Sequence, residues 1–111
     1  MTQEEKQLLL KDLCARLPYG VMMKVTHDGV EYDIKFNTEL LDVFSDFADA
    51  FKPYLRPMSS MTEDEEDELN SARMGNWGED VDWLNANHFD YRGLIEKGLA
   101  LEAPEGMYKN D

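Results

Sequence analysis

The chain has 111 residues, of which 42% are apolar and 32% charged, and its formal net charge is -13 at pH 7. This length and apolar content suffice for one packed core, so we expect a single domain over residues 1–111 with fraying over 105–111. Nucleic-acid backbones and anionic membranes attract basic surfaces, so we expect a chain this acidic to bind neither of them directly.

The N-terminus and the cysteine content indicate the compartment. The segment MTQEEKQLLLKDL holds only three consecutive leucines, with acids before them, which fits neither a signal peptide nor a membrane span. Cys14 is the one cysteine of the chain, and it cannot form an internal disulfide. We therefore expect a cytoplasmic protein.

A first helix is predicted over residues 3–17. Thr2 and Glu5 fit the capping-box pattern, in which each side chain satisfies a backbone amide at a helix start. Pro18 cannot continue the helix. Helical spacing predicts a buried face of Leu9, Leu10, Leu13, Cys14 and Leu17, and an exposed face with Glu4, Lys11 and Asp12.

A β-hairpin is the clearest local prediction. Asp28-Gly29 favours a two-residue turn, and it lies between two segments in which apolar and polar residues alternate. Pairing across this turn places all the apolar residues on one face, and a slip of one residue would reverse them. The predicted pairs are Val25 with Tyr32, Met23 with Ile34, Val21 with Phe36 and, on the other face, Lys24 with Asp33.

A second amphipathic helix is predicted over residues 38–51, capped by Asn37 or Thr38. Its many aromatic residues would also suit strands. The segment 52–58, KPYLRPM, contains two prolines and is predicted to be an extended, partly buried connector. The apolar face of the helix comprises Leu40, Val43, Phe44, Phe47 and Phe51, and its acidic face Glu39, Asp42, Asp46 and Asp49.

Residues 62–90 hold ten acids and one base, so most of the negative charge lies in this quarter of the chain. Thr62 and Glu65 form a second capping box, and amide dipoles favour acids in the first turns of a helix. Helix initiation and solvation explain most of the acidic run. Its six consecutive carboxylates are those of Glu63, Asp64, Glu65, Glu66, Asp67 and Glu68.

The C-terminal third is predicted to contain short elements. The stretch EDVDWLNANH favours a short helix that buries Val81 and Leu84, and DYRGLIEKG a further helical turn ended by Gly98. Residues 99–101 are predicted as a third strand beside the hairpin. Together these elements predict an α+β fold, with an N-terminal helix, an antiparallel hairpin, a third strand and several short helices.

Three stretches carry a resemblance to a known family: DLCARLPYGV (12–21), KPYLRPMSSMTEDE (52–65) and DWLNANHFDYRGLIEKGLALEAPEG (82–106). They resemble a family of small uncharacterised proteins from gut Bacteroidetes and their phages or mobile elements. The resemblance covers slightly under half of the chain and leaves residues 22–51 unmatched. It implies an intracellular protein of a bacterium or its mobile elements, and it brings no activity, cofactor or site residue with it.

Metal binding and catalysis have weak sequence support. The acidic segments lack the ligand spacing and the glycine of an EF-hand loop, so we expect neither a metal site nor a cofactor. A segment with several polar side chains suggests an alternative polar site. In this site His88 would act as a base, Asp90 would orient His88, and Arg92 would bind an anion. The residues of this site are His88, Asp90, Tyr91 and Arg92. The simpler interpretation of this segment is structural, namely that a helix ends here and a local ion pair follows it.

Partner binding is the function that the charge favours. An acidic field over residues 62–90 would speed association with a basic protein surface. A sharper hypothesis is a DNA mimic, which needs a long array of ordered acids. Aromatic residues crowd the same region, and they either complete the core or form a homo-oligomer interface over 77–91. The predicted partner-binding residues are the six carboxylates together with Trp77 and Trp83.

Overall fold

The computed structural model describes residues 2–74, 79–104 and 106–108, without the side chains at 45–47 and 79. Within these residues the chain forms an α+β fold with four α-helices and one four-stranded sheet, as the sequence predicts. The elements are α1 (Gln3–Arg16), β1 (Met22–His27), β2 (Val30–Lys35), α2 (Thr38–Phe47), β3 (Phe51–Leu55), α3 (Glu63–Arg73), α4 (Glu79–Ala86) and β4 (Leu101–Glu102).

The hairpin forms in the predicted register. Strands β1 and β2 are antiparallel, and Met23 pairs with Ile34 as expected from the turn at 28–29. The apolar face is buried on the β1 side, where Val21 and Met23 are inaccessible to solvent and Val25 is buried as well. Tyr32, which pairs with Val25 on the same face, is 44% exposed. Strand β2 is the edge of the sheet, so its outer end receives less cover than β1.

Strand β3 replaces the predicted end of the second helix and the predicted connector. Helix α2 ends at Phe47, and Phe51 begins a strand in a sheet of order β2-β1-β3-β4. This strand pairs antiparallel with β1 up to Pro53 and parallel with β4 from Tyr54 onward. Proline lacks an N–H, and here it lies where the pairing passes from one neighbour to the other. The strand beside the hairpin is thus β3, not residues 99–101, and β4 lies on the far side of β3.

Helix α1 begins as predicted and packs the predicted leucines into the core, but it also buries a charged pair. Its capping box between Thr2 and Glu5 is present. The side chains of Asp12 and Arg16 are fully buried, whereas Cys14 is exposed, so the predictions for Cys14 and Asp12 are both wrong. Asp12 enters the core with Arg16, because two opposite charges one turn apart can be buried together.

The shorter elements differ from prediction in three places. Asn37 caps α2 as expected, but Val43 on this helix is 39% exposed. Val81 of α4 is also exposed, while Leu84 is buried as predicted. Residues 91–98 form turns rather than a helix, with Gly98 in the left-handed conformation.

Two hydrophobic clusters hold these elements together. The larger cluster packs α1 and α2 against the sheet and includes Leu13, Met23 and Phe44. The smaller cluster joins α3 and α4. Its buried members are Leu69, Leu84 and Phe89, and the half-buried Met61, Trp83 and Tyr91 pack around them. Most of the described aromatic residues of the C-terminal half therefore belong to the core. Met74, in contrast, is 88% exposed.

Candidate interaction surface and polar network

Helix α3 is fixed to the sheet by a bidentate ion pair. Arg56, which follows β3, donates from Nη1 and Nη2 to the two carboxylate oxygens of Glu65, each over 2.7 Å. Its guanidinium also lies 4.2 Å from the ring centroid of Phe89. Hydrogen bonding from Arg56 holds the pKa of Glu65 below its ordinary value. Glu65 therefore anchors the helix rather than offering an open carboxylate.

The other five carboxylates of the acidic run face solvent. Beneath them Leu69 is buried, and Trp83 of α4 donates from its indole Nε1 to Glu68 over 3.3 Å. The indole is half-buried because it stacks on Phe89, with ring centroids 5.6 Å apart. Trp77, the other aromatic residue predicted to bind a partner, lies outside the described residues. The exposed carboxylates belong to Glu63, Asp64, Glu66, Asp67 and Glu68.

A shallow groove of about 300 Å³ runs beside this acidic face. Met58 and Met61 form one wall, and Glu66 and Arg73 of α3 lie along the other. Methionine side chains adapt to apolar groups of different shape. The acidic face therefore has an apolar neighbour on the same side of α3.

A buried polar network joins α1 to the segment after α4. Arg16 donates from Nε to Asp12 Oδ2 over 2.8 Å and from Nη2 to Asp12 Oδ1 over 3.2 Å. The same Nη2 donates to the carbonyl oxygen of Phe89. Arg92 donates from Nε to Asp12 Oδ1 over 3.1 Å. One buried carboxylate thus holds two guanidinium groups from distant parts of the chain.

Tyr91 extends this network outward. Its hydroxyl accepts from Arg92 Nη2 over 2.9 Å and donates to Asn85 Oδ1 over 3.0 Å. The Arg16 guanidinium lies 5.5 Å from the same ring centroid. The one sequence signal for the network is the spacing of Asp12 and Arg16, one helical turn apart. That spacing is common on exposed helix faces, so it did not reveal that the pair is buried.

His88 ends α4 in the left-handed backbone conformation, with φ of 62°. Its carbonyl oxygen accepts from the Arg56 N–H over 2.7 Å, and its ring stacks on Tyr108 at a centroid distance of 3.8 Å. Burial, together with the nearby positive charges of Arg16 and Arg56, lowers the pKa of His88 to about 4. The imidazole is therefore neutral at pH 7. Its Nδ1 is buried without a hydrogen-bond partner among the described residues.

Asp90 does not orient His88, which corrects the predicted acid-base pair. The Oδ1 of Asp90 accepts from the Leu94 N–H over 2.8 Å, and Oδ2 accepts from the Ile95 N–H over 3.0 Å. Aspartate readily binds backbone amides a few residues ahead, and this local arrangement stabilises the turns over 91–98. The alternative polar site is thus divided: Asp90 serves its own turn, Tyr91 and Arg92 join the Asp12 network, and His88 faces Tyr108.

Tyr108 fastens the C-terminal segment to the sheet. Its hydroxyl accepts from the Met22 N–H over 2.8 Å and donates to the Tyr54 carbonyl oxygen over 2.7 Å. Burial raises the pKa of Tyr108 to about 12. The fraying predicted over 105–111 therefore does not extend to this residue, while 105 and 109–111 lie outside the described residues.

The described residues contain no group of three or more His, Cys, Asp or Glu side chains placed to hold a metal ion. Every helix in this part of the chain is too short or too polar to cross a bilayer.

Comparison of the chain with protein-family models, with curated proteins and with solved structures gave no match in any of the three. The resemblance noted in the sequence therefore stays a prediction.

Proposed function

We propose that the protein is a non-catalytic interaction module that binds a basic surface of a partner protein through the exposed carboxylates of α3. The observation that supports this proposal is that the carboxylates of the acidic run have two different environments. Glu65 is used to anchor the helix to Arg56, whereas five neighbouring carboxylates are exposed. A partner would meet an array of charges on a helix that is already fixed in place.

Preorganisation matters because binding otherwise has to order the side chains and loops of an interface. The backbone of α3 is held by its capping box, by the Arg56 ion pair and by the burial of Leu69. Its carboxylates repel one another and remain hydrated, and cations from a partner would relieve that repulsion. Electrostatic complementarity of this kind raises the association rate and makes binding sensitive to salt.

The Met58 and Met61 groove supports a protein partner over a simple polycation. A partner segment that carries basic residues beside a bulky apolar side chain would place its charges on Glu63 and Glu66 and its apolar group between the methionines. Trp83 donates to Glu68 of the same helix, and its indole is partly accessible to a partner. We place this binding in the cytoplasm, in line with the sequence prediction.

The DNA-mimic hypothesis has less support. A mimic needs an extended array of acids, and α3 alone is one short helix. The acids of α2 belong to a helix that packs on the larger hydrophobic cluster, whereas α3 packs on the smaller one. The homo-oligomer hypothesis rests on Trp77, which lies outside the described residues, and on aromatic residues that are largely committed to the core.

Affinity capture with three proteins tests the proposal. The α3 variant carries Glu63→Gln, Glu66→Gln and Asp67→Asn, and it leaves Glu65 intact so that the helix stays anchored. The matched control variant carries Glu4→Gln, Glu39→Gln and Asp42→Asn, which removes the same charge from exposed positions elsewhere. We expect the native protein and the control variant to retain the same partner from a lysate, and the α3 variant to lose it.

Salt dependence provides the second measurement. The captured partner should dissociate as the ionic strength rises, because screening weakens contacts between exposed charges. Retention of the partner by the α3 variant, or its equal loss from both variants, would contradict a role for this particular surface.

A further inference from the structure

A cavity of about 300 Å³ opens between the end of α1 and the end of α4. The turn after α1, the start of β1, the end of β2, the end of α4 and the C-terminal segment all contribute to its wall. This volume lies at the lower end of the range for small-molecule sites. The cavity is separate from the acidic face of α3, so an inference about it is independent of the proposed function. The lining residues that matter below are Tyr19, Met22, Lys35, His88, Met107 and Tyr108.

The charge of the cavity wall is opposite to that of the protein. The chain contains 24 acids, yet none of them is among the described residues that line the cavity. Lys35 carries the one charge of this wall, because His88 is neutral at pH 7. No carboxylate among the described residues forms an ion pair with Lys35. An anion entering the cavity would therefore meet an unpaired ammonium group and no repelling carboxylate on the wall.

Gly20 gives the stem of Lys35 its path along the wall. This glycine has φ of 71°, and a Cβ built on it would lie only 3.3 Å from Lys35 Cε. The lysine stem therefore runs close over the backbone of the turn after α1. A side chain at this position would push the stem away from the turn.

The rest of the wall is aromatic and thioether in character. His88 and Tyr108 stack on each other, and the Tyr108 hydroxyl is already occupied by the Met22 amide and the Tyr54 carbonyl. Tyr108 therefore offers its ring to a ligand but not its hydroxyl. Tyr19 is 39% exposed at the same cavity, and Met22 and Met107 supply sulfur atoms, which pack well on aromatic rings.

We propose that this cavity binds a small planar organic monoanion of the aromatic carboxylate class, with its carboxylate on Lys35 and its ring against the aromatic and thioether wall. The single ammonium group sets the charge of the ligand at one. The cavity volume limits the ligand to about one ring with its substituent. The neutral His88 adds no charge to the wall, and its ring backs that of Tyr108 by stacking on it.

Benzoate is the probe for the test, and benzamide is its uncharged control of nearly the same shape. Each is titrated into the native protein while the backbone amide and His88 ring resonances are followed by NMR. We expect saturable shifts with benzoate at Gly20, Lys35 and His88, and much weaker binding of benzamide. Lys35→Met should weaken benzoate binding about tenfold, which corresponds to about 1.4 kcal/mol, because it removes the charge-assisted hydrogen bond to the carboxylate.

Lys52→Met is the matched control, because Lys52 is an exposed lysine in β3 that does not line the cavity. It changes the net charge equally and should leave benzoate binding unchanged. Three results would each overturn the proposal: an absence of saturable shifts with benzoate, equal binding of benzoate and benzamide, or equal weakening by Lys35→Met and Lys52→Met.

Discussion

The Asp12 network and the exposed face of α3 are two concentrations of charge in one fold, and they differ in what surrounds them. In the network, one carboxylate is enclosed by Arg16 and Arg92 and has no contact with solvent. On α3, five carboxylates of one sign lie in water. The first arrangement pairs its charges internally, although Arg16 Nη1 has no hydrogen-bond partner among the described residues, and the second leaves its charges to solvent or to a partner.

This contrast separates structural charges from the charges that we propose to bind a partner. A buried charge that loses its partner is costly, because the remaining group is neither hydrated nor paired. An exposed charge loses little when it is removed, because water had already solvated it. Glu65 is intermediate, since it belongs to the acidic run but is paired with Arg56. Substitution of a buried, a partly buried and an exposed charge should therefore lower stability by a large, an intermediate and a small amount.

The largest effect is expected for Asp12→Ala. This substitution leaves Arg16 buried without its carboxylate and removes the link to Arg92. We expect the free energy of unfolding to fall by about 3–5 kcal/mol, which is typical for breaking one side of a buried ion pair. Urea denaturation followed by circular dichroism measures this change.

Lys11→Ala is the control for that substitution, because Lys11 precedes Asp12 on the same helix and is exposed. Its effect should lie within about 0.5 kcal/mol of zero. Similar unfolding midpoints for the two variants would show that the network does not hold α1 in place.

Glu65→Gln should have an intermediate effect. It weakens the bidentate bond to Arg56 while keeping the shape of the side chain, and the pair is partly exposed to solvent. We expect a loss of about 1–2 kcal/mol in the free energy of unfolding, between the values for exposed and buried charged hydrogen bonds. The exposed Asp67→Asn on the same helix is the control and should change little.

The pH dependence of that loss gives a second check. The pKa of Glu65 is lowered in the folded protein from its ordinary value of 4.5. The stabilisation from its ionised form is therefore fully present above pH 4.5 and is lost as the pH falls through the lower folded pKa. The stability gap between the native protein and Glu65→Gln should narrow only below pH 4.5. A gap that is constant down to strong acid would count against the ion pair.

His88 is expected to contribute a separate pH effect, which comes from the lowered pKa of a base and not of an acid. Its folded pKa of about 4 lies below its ordinary value of 6.5, so the unfolded chain takes up the proton first as the pH falls. The native protein should lose stability between pH 6.5 and about 4, relative to a His88→Asn variant that does not titrate there. Asparagine is the suitable replacement because it tolerates the left-handed backbone. Parallel stability curves for the two proteins would contradict a depressed pKa.

The features that the sequence predicted well are those decided by neighbouring residues. The capping boxes at Thr2 and Thr62 and the hairpin turn at Asp28 each depend on a few adjacent side chains. The acidic run was correctly predicted as a helix start for the same reason. Its partner Arg56 was not foreseen, because no local pattern tells which carboxylate of six an arginine outside the helix will bind.

The features that the sequence missed depend on contacts between distant residues. Phe51 has helical spacing with Phe44, yet it begins a strand because β1 offers it a pairing partner at Val25. Asp12 looks like a surface residue until Arg92, eighty positions later, is brought beside it. The division of His88, Asp90, Tyr91 and Arg92 among three environments has the same cause, since adjacent residues point to different neighbours.

The smallest effect on stability is expected for the α3 variant with Glu63→Gln, Glu66→Gln and Asp67→Asn. Removing charges of like sign relieves repulsion, and removing acids from the first turn weakens their interaction with the helix dipole, so the two effects oppose each other. Each substitution should change the free energy of unfolding by less than about 0.5 kcal/mol. Urea denaturation measures the sum, and the Glu4→Gln, Glu39→Gln and Asp42→Asn protein is the control. If the α3 variant keeps its stability but loses the partner, these carboxylates serve partner binding and not the stability of the fold. A large loss of stability would instead show that they are structural charges, as Asp12 is.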